Sequence, residues 1–146
     1  PYALYAEKVN PKSNFNHVFE GIAELDDNIT WMASKYNSGM MWMTNYKRYS
    51  FLVPEDGVLR NLITSQDEGI IPAGGIVDIT VLINGVATLL KVTYTELDGQ
   101  IIKTNINDEV QVVKGDFVAL RFRSIGAPLN PTPNVNFQAA VELHKN

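Results

Sequence analysis

Asn84-Gly85 constrains the fold of this chain more than any other feature, because it joins two runs of apolar and β-branched residues, IVDITVLI and VATLLKVTYT. The Asn-Gly dipeptide tolerates the positive φ angles of a two-residue type I′ turn, so the sequence predicts a tight β-hairpin over residues 76–95. A two-residue loop also sets the register, which makes one face of the hairpin apolar and places Asp78 opposite Lys91 on the other. Turn chemistry, alternation and charge therefore predict the same hairpin.

Other parts of the chain show the period-two alternation of half-buried strands, separated by residues that favour turns. The runs 110–113 and 117–123, on either side of the turn at 114–116, are predicted to form a second hairpin. A short helix over residues 23–35 is an open alternative to strands in that window. The remaining predicted strands are 19–25, 29–32, 49–53, 58–63, 101–103 and 135–143, with turns at 26–28, 54–57 and 96–100 and longer loops at 65–75 and 124–134.

About eight strands with turns at short intervals and no long helix are typical of an antiparallel β-sandwich or jelly roll, so the predicted fold class is all-β. A chain of 146 residues is long enough for one core and too short for two ordinary domains. We expect residues 1–17 to form an N-terminal extension or stem junction, and residues 18–146 to form a single β-sandwich domain.

The strongest compositional anomaly is a segment rich in methionine and aromatic residues. All four Met and both Trp, Trp31 and Trp42, lie within residues 31–43, and Tyr46 follows closely. Such residues fill irregular cores and subunit interfaces, which is the favoured interpretation. The alternative is an exposed aromatic platform on which sugar rings or apolar groups of a partner stack.

Two arginines form a further candidate site. Within the run 117–123, apolar residues alternate with Arg121 and Arg123, so both arginines are expected on the outward face. A guanidinium there can pair with acids across a subunit interface or bind an acidic sugar, while a solvated surface is the simpler interpretation. The candidate ligand-binding residues are thus Trp31, Trp42, Tyr46, Arg121 and Arg123.

Charge and composition argue against several kinds of function. The net charge is -4, the pI is about 5.1 and the basic residues are scattered, which argues against nucleic acid and anionic membranes as partners. Cysteine is absent, and the two histidines, His17 and His144, offer little to a His-based triad or a metal site. The sequence contains no run of about 18 apolar residues, so it predicts no membrane span. We therefore expect no enzyme activity, no cofactor and no bound metal.

The order of the strand segments resembles that of a known group of proteins. FLVPEDGVLRNL, TVLINGVATLLKVT and VQVVKGDFVALRFR, followed by an apolar final strand, are similar to the C-terminal heads of bacterial collagen-like surface proteins and phage fibres. Those heads have jelly-roll folds related to the complement-type globular head and the tumour-necrosis-factor-like family. The segment PYALYA at residues 1–6 also resembles a junction between stem and head in fibre proteins.

The resemblance implies a homotrimer at the tip of a stem, on a cell or virion surface outside the cell, that binds a glycan or protein receptor without catalysis. We take this as the leading functional hypothesis. A monomeric carbohydrate-binding module, with Trp31 or Trp42 stacking on the sugar, is the alternative from another class. A capsid or decoration protein is a further alternative, because the same fold serves many functions. The loops 65–75 and 124–134 are the expected recognition loops, since long loops on a rigid scaffold usually carry binding.

Overall fold

Strands account for nearly all the regular structure of the described residues. The computed structural model describes residues 15–24, 29–31, 33–34, 47, 50–99, 101–126 and 134–145, and within these ranges it contains eleven strands and no α-helix. The strands are β1 (Phe15–Glu24), β2 (Ile29–Trp31), β3 (Ala33–Ser34), β4 (Phe51–Leu52), β5 (Gly57–Glu68), β6 (Ile76–Ile83), β7 (Val86–Thr95), β8 (Ile102–Asn105), β9 (Val110–Val112), β10 (Phe117–Ile125) and β11 (Asn134–Lys145).

The strands form two antiparallel sheets that pack face to face as a β-sandwich. Sheet A has the order β3-β1-β11-β5-β8, and β9 pairs with the other half of β5. Sheet B has the order β2-β10-β6-β7, and β4 also pairs with β10. The predicted all-β sandwich is thus confirmed. The first strand begins at Phe15, inside the segment predicted as an extension.

Alternation along the strands places the core between the sheets. Phe137, in the central strand of sheet A, packs edge-on against Tyr94 and Phe122 of sheet B, with ring centroids 5.1 Å and 4.8 Å away. Edge-to-face contacts of this kind add to the free energy gained by burying the rings. The predicted inward positions of β11 are all buried: Val135, Phe137, Ala139, Val141 and Leu143.

The hairpin of β6 and β7 confirms the predicted turn but not the full register. Asn84 and Gly85 have φ angles of 51° and 82°, as a type I′ turn requires. Beyond Leu82 the register shifts by two residues, so Asp78 lies opposite Thr93 rather than Lys91. The predicted pairing of Asp78 with Lys91 is therefore wrong. A shift of two preserves the faces, so the predicted apolar face is buried at Val77, Ile79, Val81, Leu90 and Val92, whereas Val86 next to the turn is exposed.

Thr88 explains how the hairpin accommodates this irregularity. Its hydroxyl donates to the carbonyl oxygen of Val81 at 2.8 Å and accepts the N–H of Leu90 at 3.2 Å. The side chain thereby satisfies backbone groups that the shifted ladder leaves unpaired. Turn chemistry sets the register only up to the first bulge.

The predicted hairpin of residues 110–123 is wrong. β9 pairs with β5 in sheet A, whereas β10 lies in sheet B, so the turn between them crosses from one sheet to the other. Two backbone hydrogen bonds hold this turn: Gly115 donates to Val53, and Val53 donates to Asp116, each at 2.9 Å. The alternation of apolar and polar residues predicts both strands. It does not determine whether two strands that follow each other in sequence pair within one sheet or lie in facing sheets.

Two other expectations also need correction. The loop predicted for residues 65–75 is shorter, because β5 continues to Glu68 and only residues 69–75 connect it to β6. The helix considered for residues 23–35 does not form in the described part of that window, which contains β2 and β3.

The sandwich has two distinct ends. At the turn end, the Asn84 carboxamide donates to the Asp116 carboxylate at 2.9 Å and accepts the N–H of Phe117 at 2.9 Å. β1 starts at this end, with Phe15 opposite Leu143. The opposite end, which we call the loop end, carries residues 69–75 after β5, residues 96–99 after β7, and the start of the β10–β11 connection.

Candidate functional site at the loop end

The two predicted recognition loops meet at the loop end. A Cβ built on Gly126, at the end of β10, would lie 3.0 Å from the carbonyl oxygen of Gly74 in the loop 69–75. Both glycines have positive φ angles, 68° and 78°, which other residues rarely adopt. Residues 127–133 of the second loop lie outside the described residues. The end of the connection between β5 and β6 therefore lies beside the start of the connection after β10.

A third segment, the turn after β7, completes the loop end. The Glu96 carboxylate accepts the N–H of Gly74, which ties this turn to the loop 69–75. Asp98 stabilises the turn itself, because its carboxylate pairs with Lys103 at 2.8 Å and accepts the N–H of Thr95 at 2.6 Å. These bonds, from Lys103 first and Thr95 second, hold the pKa of Asp98 below its ordinary value.

A cavity of about 340 Å³ lies between these segments. Its volume is at the lower end of the range for small-molecule sites in proteins. Its position between two connections on a rigid sandwich is where ligand sites usually occur. The cavity is lined by Gln66, Gly69, Ile70, Ile71, Thr95, Glu96 and Gly99.

Gln66 is the most informative residue of this cavity. It is only 3% exposed, and its Nε2 donates to the carbonyl oxygen of Gly69 at 2.9 Å. Its Oε1 is also buried and has no hydrogen-bond partner. Leaving such an acceptor unsatisfied costs about 1–3 kcal/mol, so the position needs an explanation other than stability.

The charged and polar groups of the cavity are acceptors rather than cations. Glu96 contributes a carboxylate, whereas Oε1 of Gln66 is buried; among the described residues, no Lys, Arg or His lines the cavity. Ile70 adds an apolar wall and is 74% exposed. The cavity therefore suits a ligand that donates hydrogen bonds and carries an apolar face.

The two sequence-predicted arginines lie elsewhere, in sheet B. In the backbone register of sheet B, Arg121 lies opposite Trp31 of β2 and Thr80 of β6, and Arg123 lies opposite Asp78 of β6. Neither arginine lines the loop-end cavity. Trp42 and Tyr46 fall outside the described residues, so the structure does not test the predicted aromatic platform.

The outward face of sheet B around Arg121 is partly covered. Leu82 and Ala119 are buried although they lie outside the core cluster, on the face away from sheet A. Lys47 places its ammonium 5.4 Å from the ring centroid of Phe117 near this region. Arg121 itself is half-buried, and its Nε has no hydrogen-bond partner. Arg123, two residues further along β10, is exposed.

A polar cluster on the outward face of sheet A has a structural explanation. Glu142 accepts hydrogen bonds from Arg60 at 3.2 Å and from Asn61 at 2.5 Å, and Arg60 also lies 3.2 Å from Nδ1 of His144. Burial raises the pKa of Glu142, but the bonds from Asn61 and Arg60 outweigh it and hold the pKa below its ordinary value. Asn61 has a φ of 53° at an irregularity in β5, a conformation that asparagine tolerates.

The same face of sheet A carries exposed apolar residues. Ile63 is 43% exposed and Ile102 is 65% exposed, and they line a shallow depression of about 180 Å³ together with Ala140. Ile63 and Ile102 are diagonal neighbours across the pair of β5 and β8, since Ile102 lies opposite Ser65, and with Ala140 they form a short apolar strip.

Sequence reasoning missed the cavity because it placed Gln66 in a loop. In the structure, Gln66 is an inward position of β5, opposite Phe137. The signal was present, since a polar residue two positions after Thr64 continues the inward alternation of the strand. A buried amide at a position where an apolar residue is expected marks a candidate site.

Fold and site together define a β-sandwich domain with a small, acceptor-lined cavity at its loop end. No protein-family model and no curated protein matches the chain. Among the described residues, no group of three or more His, Cys, Asp or Glu side chains could hold a metal ion. The same residues include no helix with the length and hydropathy of a membrane span.

Proposed function

We propose that this domain is the head of a trimeric fibre or surface appendage outside the cell, and that it binds a glycan or protein receptor without catalysis. The observation that carries the proposal is that the two ends of the sandwich differ. β1 begins at the turn end, whereas the long connections and the cavity lie at the opposite end. A stem that precedes β1 would therefore leave the loop end outermost, where a receptor is met.

The strand order supports a jelly roll, the fold implied by the resemblance to fibre heads. β2 and β4 share one position beside β10, and β8 and β9 share one position beside β5. We count β3 as an added edge strand and count each pair of strands that shares a position once. The strands then occupy eight positions, numbered 1 to 8 in chain order. Sheet A then reads 1-8-3-6 and sheet B reads 2-7-4-5. Two interleaved Greek keys produce this order.

The apolar strip on sheet A supports association. Ile63 and Ile102 expose apolar surface that water disfavours, and a symmetric contact between copies would bury it. A trimer of 16.3 kDa chains has a mass of about 49 kDa. Light scattering coupled to size exclusion measures that mass directly.

A matched pair of variants locates the contact. Ile102→Glu places a charge in the strip and is expected to yield the monomer mass, because burying an unpaired carboxylate is costly. Ile106→Glu is the control, since Ile106 is 66% exposed but does not line the depression. A wild-type protein that remains monomeric at high concentration contradicts the trimer, and dissociation by both variants contradicts the assigned face.

The cavity supports a second candidate function. A monomeric carbohydrate-binding module could hold its sugar in such a cavity. A monomer in solution that still binds a glycan at the loop end would favour this module over the trimeric head.

A further inference from the structure

We propose that Asn84 is a site of spontaneous deamidation, which the folded domain protects and which reacts only when the hairpin turn opens. The site lies at the turn end, so it is independent of the receptor binding proposed for the loop end. Asparagine is among the thermolabile residues of proteins. Here it precedes Gly85, which has no side chain to hinder attack by its backbone nitrogen, and both residues are exposed. The dipeptide by itself is therefore reactive.

The reaction needs only these two residues and water. The backbone nitrogen of Gly85 attacks Cγ of Asn84, the new N–C bond closes a five-membered succinimide ring, and the Cγ–Nδ2 bond breaks. The proton of the attacking nitrogen leaves with the amide group as ammonia. Water then opens the ring: addition at Cγ gives aspartate, and addition at the backbone carbonyl carbon gives isoaspartate. One amide and one water thus become one carboxyl group and one ammonia.

The native turn holds the reacting atoms apart. Ring closure requires Cβ of Asn84 and the nitrogen of Gly85 to be nearly eclipsed about the Cα–C bond. In a type I′ turn the first residue has a ψ angle of about 30°, which places these two atoms on opposite sides of that bond. The φ angles of Asn84 and Gly85, 51° and 82°, are those of such a turn. The nitrogen therefore cannot reach Cγ while the turn is closed.

Hydrogen bonds to the neighbouring turn hold Asn84 in this conformation. Its carboxamide donates to Asp116 and accepts the N–H of Phe117, each at 2.9 Å. Its own N–H donates to the carbonyl oxygen of Phe117 at 2.8 Å. These bonds have to break before the ring can close. Because deamidation is slow compared with the opening and closing of a turn, its rate in the folded protein follows the fraction of molecules whose turn is open.

The product closes the turn less well than asparagine does. Aspartate at position 84 removes the donor to Asp116 and puts a second carboxylate beside it. Isoaspartate adds one atom to the backbone of a loop whose two residues set the register next to the turn. Either product adds one negative charge to a net charge of -4. Modification therefore favours further opening of the turn end.

Peptide mapping by mass spectrometry measures the reaction in the full chain. One sample is incubated at neutral pH in buffer and a second in guanidinium chloride above the unfolding midpoint, and the peptide that contains Asn84 is followed for exchange of NH2 for OH. We expect deamidation in buffer to be at least about tenfold slower than in denaturant. Asn107 is exposed and precedes Asp108, whose side chain hinders attack. As the internal control, it should react much more slowly than Asn84 in denaturant.

Two variants test the protection by hydrogen bonds. Asp116→Ala removes the acceptor of the Asn84 carboxamide and is expected to speed deamidation in buffer about fivefold, with no change in denaturant. Lys114→Ala is the matched control, because Lys114 is an exposed residue of the same turn whose backbone N–H, rather than its side chain, bonds to Asp56. It should change neither rate. Circular dichroism verifies that both variants are folded.

Each part of the proposal has an outcome that contradicts it. No deamidation of Asn84 in denaturant overturns the site, and equal rates in buffer and denaturant overturn its protection by the fold. An unchanged rate in folded Asp116→Ala overturns the role of the hydrogen bonds. After refolding, anion exchange separates the deamidated protein by its added charge. Its urea midpoint is expected to lie below that of the parent, and equal midpoints overturn the weakened turn.

Discussion

The contact between Asn84 and Asp116 predicts that Asn84→Asp and Asp116→Asn each destabilise the fold when made singly. The double variant, which exchanges the two side chains, is expected to be about as stable as the parent. Asn84 donates to the Asp116 carboxylate and accepts the N–H of Phe117, both at 2.9 Å. The second oxygen of Asp116 accepts the N–H of Val113 at 2.9 Å. These bonds hold the hairpin turn of sheet B against the turn that crosses between the sheets.

Asn84→Asp replaces the donor with a second carboxylate at hydrogen-bond distance from the first. Loss of a hydrogen bond to a charged group costs about 1–2 kcal/mol. Repulsion between two charges about 4 Å apart adds about 1 kcal/mol at the dielectric constant of water. The expected loss of about 2–3 kcal/mol lowers the melting temperature of a chain of this size by about 5–10 °C.

The double variant Asn84→Asp with Asp116→Asn reverses the roles of the two side chains. The new amide at position 116 can donate to the new carboxylate at position 84, which still accepts the N–H of Phe117. We expect its unfolding free energy to lie within about 1 kcal/mol of the parent, because the exchange restores the number of bonds and removes the repulsion.

Urea unfolding followed by circular dichroism measures all four proteins of this cycle. Asn84→Gly is the control for the turn itself, since glycine keeps the positive φ angle and removes both side-chain bonds without adding charge. Our interpretation of the contact is refuted if Asn84→Asp is as stable as the parent. It is also refuted if the double variant loses as much stability as the two single variants together.

Two further predictions concern the core and sheet A. Phe137→Ala removes the ring that packs against Tyr94 and Phe122, and is expected to cost about 3–5 kcal/mol in chemical denaturation; a loss below about 1 kcal/mol would contradict its central position. Because the folded-state pKa of Glu142 is lowered, its contribution is complete above the ordinary value of 4.5 and disappears as the pH falls through the folded-state pKa. Unfolding free energies between pH 7 and pH 3 should thus fall less steeply in Glu142→Gln, and equal slopes would count against the assigned hydrogen bonds.

Local chemistry predicted those parts of the fold that depend on neighbouring residues. The turn at Asn84-Gly85 and the inward face of β11 follow from dihedral preferences and alternation. The register beyond Leu82 does not, because Thr88 stabilises a bulge by side-chain bonds that no alternation pattern encodes. The assignment of β9 and β10 to different sheets depends on contacts with Val53, far away in sequence.

The candidate site was harder to predict for the same physical reason. Gln66 lies on β5 and Glu96 lies in the turn after β7, so the two line one cavity only once the ends of these strands come together in the fold. Each residue alone reads as an ordinary loop or turn residue. That the loops 65–75 and 124–134 carry recognition stays a prediction, and β5 extends further into the first of these loops than expected.

The position of β11 has a consequence for the order in which the domain folds. β11 lies between β1 and β5 in sheet A, so Phe19 pairs with Ala139, about 120 residues later in the chain. Closing so large a loop costs conformational entropy before the hydrogen bonds between β1 and β11 can form. The loop between β6 and β7, by contrast, has only two residues, so this hairpin forms at a much lower entropic cost. During synthesis, sheet B can begin to assemble while β1 and β5 still lack the strand that joins them. We expect folding in milliseconds to seconds, with sheet A completed last.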